Sequence, residues 1–123
     1  MEALARVDRA LRDHAIRLRR TSAVTSANAR LEPVLYESGH VLEGYVEATL
    51  ANGDAVCWCL DVRWSEESWI IEATLDRKAG DRQEIVEELP LETGTDLAAF
   101  IEALNRVVRE LLALSASEQD RGS

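Results

Sequence analysis

Hydrophobic and polar residues along the chain follow two different periods. In residues 2–20, Leu4, Val7, Leu11, His14 and Leu18 recur every three or four positions and share one narrow stripe. Arg6, Arg9, Arg12, Arg17, Arg19 and Arg20 fall on the opposite side, so this segment predicts an amphipathic helix. A second helical pattern closes the chain. Thr95 or Asp96 is placed to cap it, and Leu97, Phe100, Ile101, Leu104, Val107, Val108, Leu111 and Leu112 form a wide apolar face.

Between the helices the period changes to two, the signature of half-buried strands. Val41–Leu50 sets Leu42, Val46, Ala48 and Leu50 against Glu43, Tyr45, Glu47 and Thr49. Ala55–Trp64 sets Val56, Trp58, Leu60, Val62 and Trp64 against Cys57, Cys59, Asp61 and Arg63. Trp69–Asp76 repeats the pattern with Trp69, Ile71, Ala73 and Leu75. Residues 33–37 are expected to form a short edge strand and 83–91 a fifth, more polar strand, with Pro90 near its end as an edge permits. The Ser/Thr/Ala/Asn-rich stretch 21–29 reads as a frayed helix end or linker. Turns are expected at Ser38-Gly39 and at Lys78-Ala79-Gly80.

These elements predict an α+β fold: a five-stranded antiparallel meander with N- and C-terminal helices packed on one face, in the order α-β-β-β-β-β-α. One domain is expected over residues 1–114, followed by a disordered polar tail at 115–123.

The hairpins set the register. A two-residue Asn52-Gly53 turn would split the apolar residues of the second and third strands between both faces. A three-residue loop, Ala51-Asn52-Gly53 with Gly53 left-handed, unites them and pairs Leu50 with Asp54, Val46 with Trp58 and Leu42 with Val62. The Ser65-Glu66-Glu67-Ser68 loop then pairs Trp64 with Trp69, Val62 with Ile71 and Trp58 with Leu75. On the other face Glu43, Asp61 and Glu72 line up across three strands. Glu47, Cys57 and Asp76 form a further row, with Tyr45, Cys59 and Thr74 between the two. Directly opposed like charges destabilise a sheet, so the acid row calls for a compensating partner. Arg63, water on an open face, a hard cation or a basic partner would serve, and a solvated face partly neutralised by Arg63 is the plainest reading.

The formal net charge of −9 sharpens this picture. Residues 1–30 hold seven arginines against three acids, a net +4, and the remainder carries −13. An acidic body repels nucleic acid and anionic membranes, and the first helix has no aromatic residue for base stacking. The expected target of its arginines is acidic protein surface, including that of a second copy; a homodimer through the N-terminal helix is one expectation. The null expectation for the stripe is that it packs on the sheet.

Cys57 and Cys59 point to the same face of a strand, about 6.6–6.8 Å apart along the chain, at the far edge of disulfide reach. They read as reduced thiols in a cytoplasmic protein. His14 and His40 have no ligand spacing, and His14 is expected at the core edge with one hydrogen bond. Glycine-rich phosphate loops and nucleophile elbows are absent from the sequence, as is the paired-histidine zinc motif. The chain therefore reads as a small acidic, non-enzymatic protein-binding module: an adaptor, a chaperone-like partner or an inhibitor of a basic protein. Glu43, Asp61, Glu72, Tyr45 and Arg63 are its candidate binding residues. No catalytic residue, metal ligand or cofactor is assigned. The alternative is an enzyme or a domain that binds a divalent cation or small ligand on the same carboxylate row.

Overall fold

The computed structural model describes residues 2–36, 39–64 and 67–114. In chain order the elements are α1 (Glu2–Arg19), β1 (Val24–Tyr36), β2 (Gly39–Leu50), β3 (Ala55–Trp64), β4 (Trp69–Ala79), β5 (Arg82–Glu88), β6 (Glu92–Gly94) and α2 (Leu97–Ala113). Strands β1 to β5 lie side by side in sequence order, each antiparallel to the next. Both helices cover the same face, α1 over β1 and β2, and α2 chiefly over β4. This is the expected α+β meander, with one short strand added.

The β2–β3 and β3–β4 registers are those that unite the apolar residues. Val46 pairs with Trp58, Leu42 with Val62, Trp58 with Leu75, and Trp64 with Trp69. The three-residue turn between β2 and β3 is present. Leu50 N–H donates to the Asp54 carbonyl at 2.8 Å, and Gly53 takes a φ of +93°, which an L side chain rarely adopts. Asp54 then receives Arg77 from β4 at 2.6 Å, a half-buried ion pair that ties this turn to the next hairpin.

Several boundaries differ from the expectation. β1 starts at Val24, so the stretch expected as linker belongs mostly to a strand. Its small residues give a weak strand pattern, but they suit a strand lying directly beneath a helix. Ala27 is buried, Ala29 is half-buried, and the pair stand opposite Ala48 and Val46. Gly44 continues this row: a Cβ there would come within 2.9 Å of the Leu31 side chain and 3.1 Å of Leu11, so its absence lets α1 settle. β4 extends to Ala79, and its turn to β5 is Gly80-Asp81. The expected 83–91 strand is two strands. β5 bulges at Val86 and ends at Glu88, and after Pro90 the chain returns to β4 as β6, pairing Trp69–Ile71 with Glu92–Gly94. Proline has no N–H to continue a ladder, and Gly94 leaves space for the indole of Trp69, which a Cβ would meet at 2.5 Å. The expected turn residue Ser38, part of the 65–68 loop and the tail 115–123 lie outside the described residues.

Asp96 rather than Thr95 caps α2, its carboxylate accepting from Ala99 N–H at 3.0 Å. Ala103, Leu104, Val107, Val108 and Leu111 are buried, whereas Leu97 at the helix start is 70 % exposed. The apolar face of α2 is thus narrower at its N-terminus than the periodicity implies. The stripe of α1 is spent on the sheet: Val7, Leu11 and Ala15 are buried there, so a second copy would meet the arginine face instead.

The three tryptophans share the core side. Trp58 is fully buried and donates from Nε1 to the Leu114 carbonyl at 2.9 Å. Trp69 donates to the Asp96 carbonyl at 3.0 Å, and Phe100 packs against both Trp69 and Trp64. His14 is more deeply placed than expected. Its ring stands edge-on to Trp58 at 4.8 Å, and its Nε2 has no hydrogen-bond partner. Burial, with Arg17 nearby, lowers its pKa from 6.5 to about 4.

Two outcomes follow from this core. Trp58→Ala or Leu60→Ala should lose about 2–5 kcal/mol of stability in chemical denaturation; a loss below about half a kcal/mol would contradict the packing of either side chain. His14 folds as the neutral form, so between pH 6.5 and about 4 the unfolded chain takes up a proton that the folded chain refuses. Stability from this residue therefore falls as pH drops through that window, by up to about 3 kcal/mol. The pH dependence of wild type minus that of His14→Leu, followed by urea denaturation, should show this loss; superimposable profiles would refute it.

Candidate functional site

The face without helices is built by the alternate residues of the same strands. Strand pairing places Glu43 opposite Asp61 and Asp61 opposite Glu72, so the three carboxylates of the expected row lie side by side. The row is longer than anticipated, because Glu32 on β1 pairs with Glu43. Sequence reasoning missed it by drawing β1 as residues 33–37. The signal available was the alternation of Ala27, Ala29 and Leu31 with polar neighbours, masked by the small size of alanine.

Two arginines attend the row, one at its β1 end and one in its interior. Arg63 Nε lies 3.3 Å from Asp61 Oδ1, both on β3, and Arg30 Nη2 lies 3.1 Å from Glu32 Oε1 on β1. Hydrogen bonding to the Tyr45 side chain, then attraction to Glu32, raises the Arg30 pKa. Among the described residues, Glu43 and Glu72 have no cationic partner. Exposed ion pairs such as that of Arg63 contribute about 0–1 kcal/mol, so the arginines offset the row only in part.

Glu43, Tyr45, Asp61 and Glu72 line one open depression of about 320 Å³, together with Thr74, Cys57 and Cys59. Of the five candidate residues, only Arg63 stands outside it, tethered through Asp61. A smaller depression of about 190 Å³ adjoins, lined by Glu47, Cys57, Cys59, Asp76, Lys78 and Gln83. Both cysteines line both depressions.

The cysteines are not joined by a disulfide, and their side chains lean together. The sulfur atoms are 3.1 Å apart, nearer than the backbone spacing alone suggested, and Cys59 Sγ is 3.8 Å from Asp76 Oδ2. The other carboxylate oxygen, Asp76 Oδ1, is buried without a hydrogen-bond partner. The hydrogen bond with Cys59, burial, and the nearby charges of Cys59, Glu47 and Asp76 all push the Cys57 thiol pKa upward.

His14 lies under α1 in the core, on the other side of the sheet from the thiols. Among the described residues, no group of three His, Cys, Asp or Glu side chains is placed to hold a metal ion. Among the described residues the face offers negative charge, the ring of Tyr45 and two thiols. No known protein family, curated protein or solved structure matches the chain.

Replacing Asp61 by Asn removes two opposed like-charge contacts and one exposed ion pair. The balance should stabilise the protein by about half a kcal/mol at low ionic strength, and the gain should shrink as salt screens the row. Thermal melts of wild type and Asp61→Asn at two salt concentrations check this; a destabilised variant would mean that Arg63 neutralises the row.

Proposed function

We propose that this chain is a non-enzymatic binding module whose uncovered sheet face receives a basic segment of another protein. The observation that carries this reading is the row Glu43–Asp61–Glu72, where two carboxylates lack a described cationic partner beside the open depression. A lysine or arginine laid across the row relieves like-charge repulsion as well as adding attraction. Tyr45 beside the row offers an aromatic surface for a guanidinium or ammonium group. The helices occupy the opposite side, so an extended segment reaches the face without displacing the core. An adaptor, a chaperone-like partner and an inhibitor of a basic protein all use such a face. No helix among the described residues is long and apolar enough to cross a membrane. A reducing, cytoplasmic setting suits the two thiols.

A fluorescent arginine-rich peptide is the direct probe, read by anisotropy. Binding to wild type is expected at low salt and should weaken as salt rises. Combined Glu43→Gln, Asp61→Asn and Glu72→Gln should abolish it. Neutralising the same number of acids elsewhere, at Glu84, Glu102 and Glu110, should leave most of it. Equal loss in both variants would reduce the effect to net charge, and no binding at low salt would overturn the proposal.

A further inference from the structure

We propose that Cys57 and Cys59, with Asp76 beside them, form a two-sulfur site for a trivalent arsenical. This goes beyond the peptide-binding reading and does not rest on it.

The geometry selects the kind of ligand. The sulfurs are 3.1 Å apart and half-buried, and they open onto both depressions of the uncovered face. A pyramidal centre, whose two bonds to sulfur stand near a right angle, spans sulfurs this close. A linear two-coordinate cation would have to push them apart. A cage-forming metal needs further donors, and the described residues provide no such group of three. A Cys57–Cys59 disulfide would act on a backbone separation at the outer limit of disulfide geometry.

The surroundings select among thiol reagents. Glu47 and Asp76 flank the pair, so anions such as arsenate or glutathione disulfide are repelled, whereas arsenous acid is uncharged at neutral pH. With arsenous acid, each sulfur forms one bond to arsenic, two arsenic–oxygen bonds break, and the two thiol protons leave with those oxygens as water. With phenylarsine oxide, the arsenic–oxygen double bond breaks and a single water carries both protons away. Arsenic stays trivalent in either case, so neither oxidant nor reductant is consumed. The buried, unpartnered Asp76 Oδ1, on a carboxylate whose Oδ2 is 3.8 Å from Cys59 Sγ, is an acceptor available to a thiol proton or to a hydroxyl left on arsenic.

Phenylarsine oxide is the probe, with native mass spectrometry as the readout. Wild type should hold a single adduct through excess monothiol and release it to ethanedithiol. Cys57→Ser and Cys59→Ser should each lose the adduct to monothiol. Asp76→Asn should hold it about tenfold less tightly, the scale seen when a supporting group around a bound centre is removed. In wild type the arsenical should also protect both cysteines from iodoacetamide, a measurement that stands if a serine variant fails to fold. The variant neutralised at Glu43, Asp61 and Glu72 should keep the adduct, which separates this site from the peptide-binding face. Loss of the wild-type adduct to monothiol, retention by either serine variant, or unprotected cysteines would each overturn the inference. Tighter retention of copper(I) than of arsenite in direct competition would overturn the choice of a pyramidal centre.

Discussion

The burial of Trp58 is the contact on which the rest of the molecule depends. Its indole sits in β3, flanked by Val46 on β2 and Leu75 on β4, with no surface exposed. His14 of α1 meets its ring, and the carbonyl of Leu114, the C-cap of α2, accepts its N–H. One side chain thus joins the central strand to both helices. Fully burying an aromatic of this size contributes several kcal/mol, and the hydrogen bond satisfies the only polar atom it takes inside. The neutral state of His14 is the cost of this junction, since a charged imidazole against the indole would be poorly solvated.

Covering one face so completely leaves the other to solvent. Strand alternation turns every second residue of β2, β3 and β4 away from the helices, and those residues include five acids and both thiols. The register that buries Trp58 is therefore also the register that opposes Glu43, Asp61 and Glu72. Shifting one strand by a residue would separate the carboxylates, but it would also expose the core. A few tenths of a kcal/mol of repulsion per pair is small beside the burial that a shift would forfeit. The acid row persists because the core enforces it, and the proposed basic ligand would gain from the tension already present.

The same constraint brings the thiols together. Positions two apart on β3 must share a face, and β2 and β4 on either side leave Cys57 and Cys59 a narrow channel between Glu47 and Asp76. The two proposed sites, at the sulfurs and at the acid row, occupy neighbouring parts of one surface, with Tyr45 and Thr74 on either side of Cys59.

Much of this was legible from residue order alone. The alternation in Val41–Leu50, Ala55–Trp64 and Trp69–Asp76, with the turn residues between them, determined three strands, their register and the acid row. Each is a local pattern backed by heavy burial, and only one alignment satisfies all of it. Helical periodicity likewise located α1 and α2, and the five candidate binding residues fall on the face that this alignment predicted. The tertiary structure alone decided the rest. The first half of β1 holds Ser26, Ala27, Asn28 and Ala29, whose strand character comes from pairing with β2 beneath α1, not from their own preference. β6 exists because Gly94 leaves room for the Trp69 ring. Glu32 joins the acid row only once β1 is paired. Side-chain torsion, invisible in a spacing of two residues, closed the two sulfurs to 3.1 Å and left Asp76 Oδ1 without a partner. Periodicity reports which face a residue takes, because that follows from backbone geometry; distances between atoms on that face depend on neighbours from other strands, which no local pattern contains.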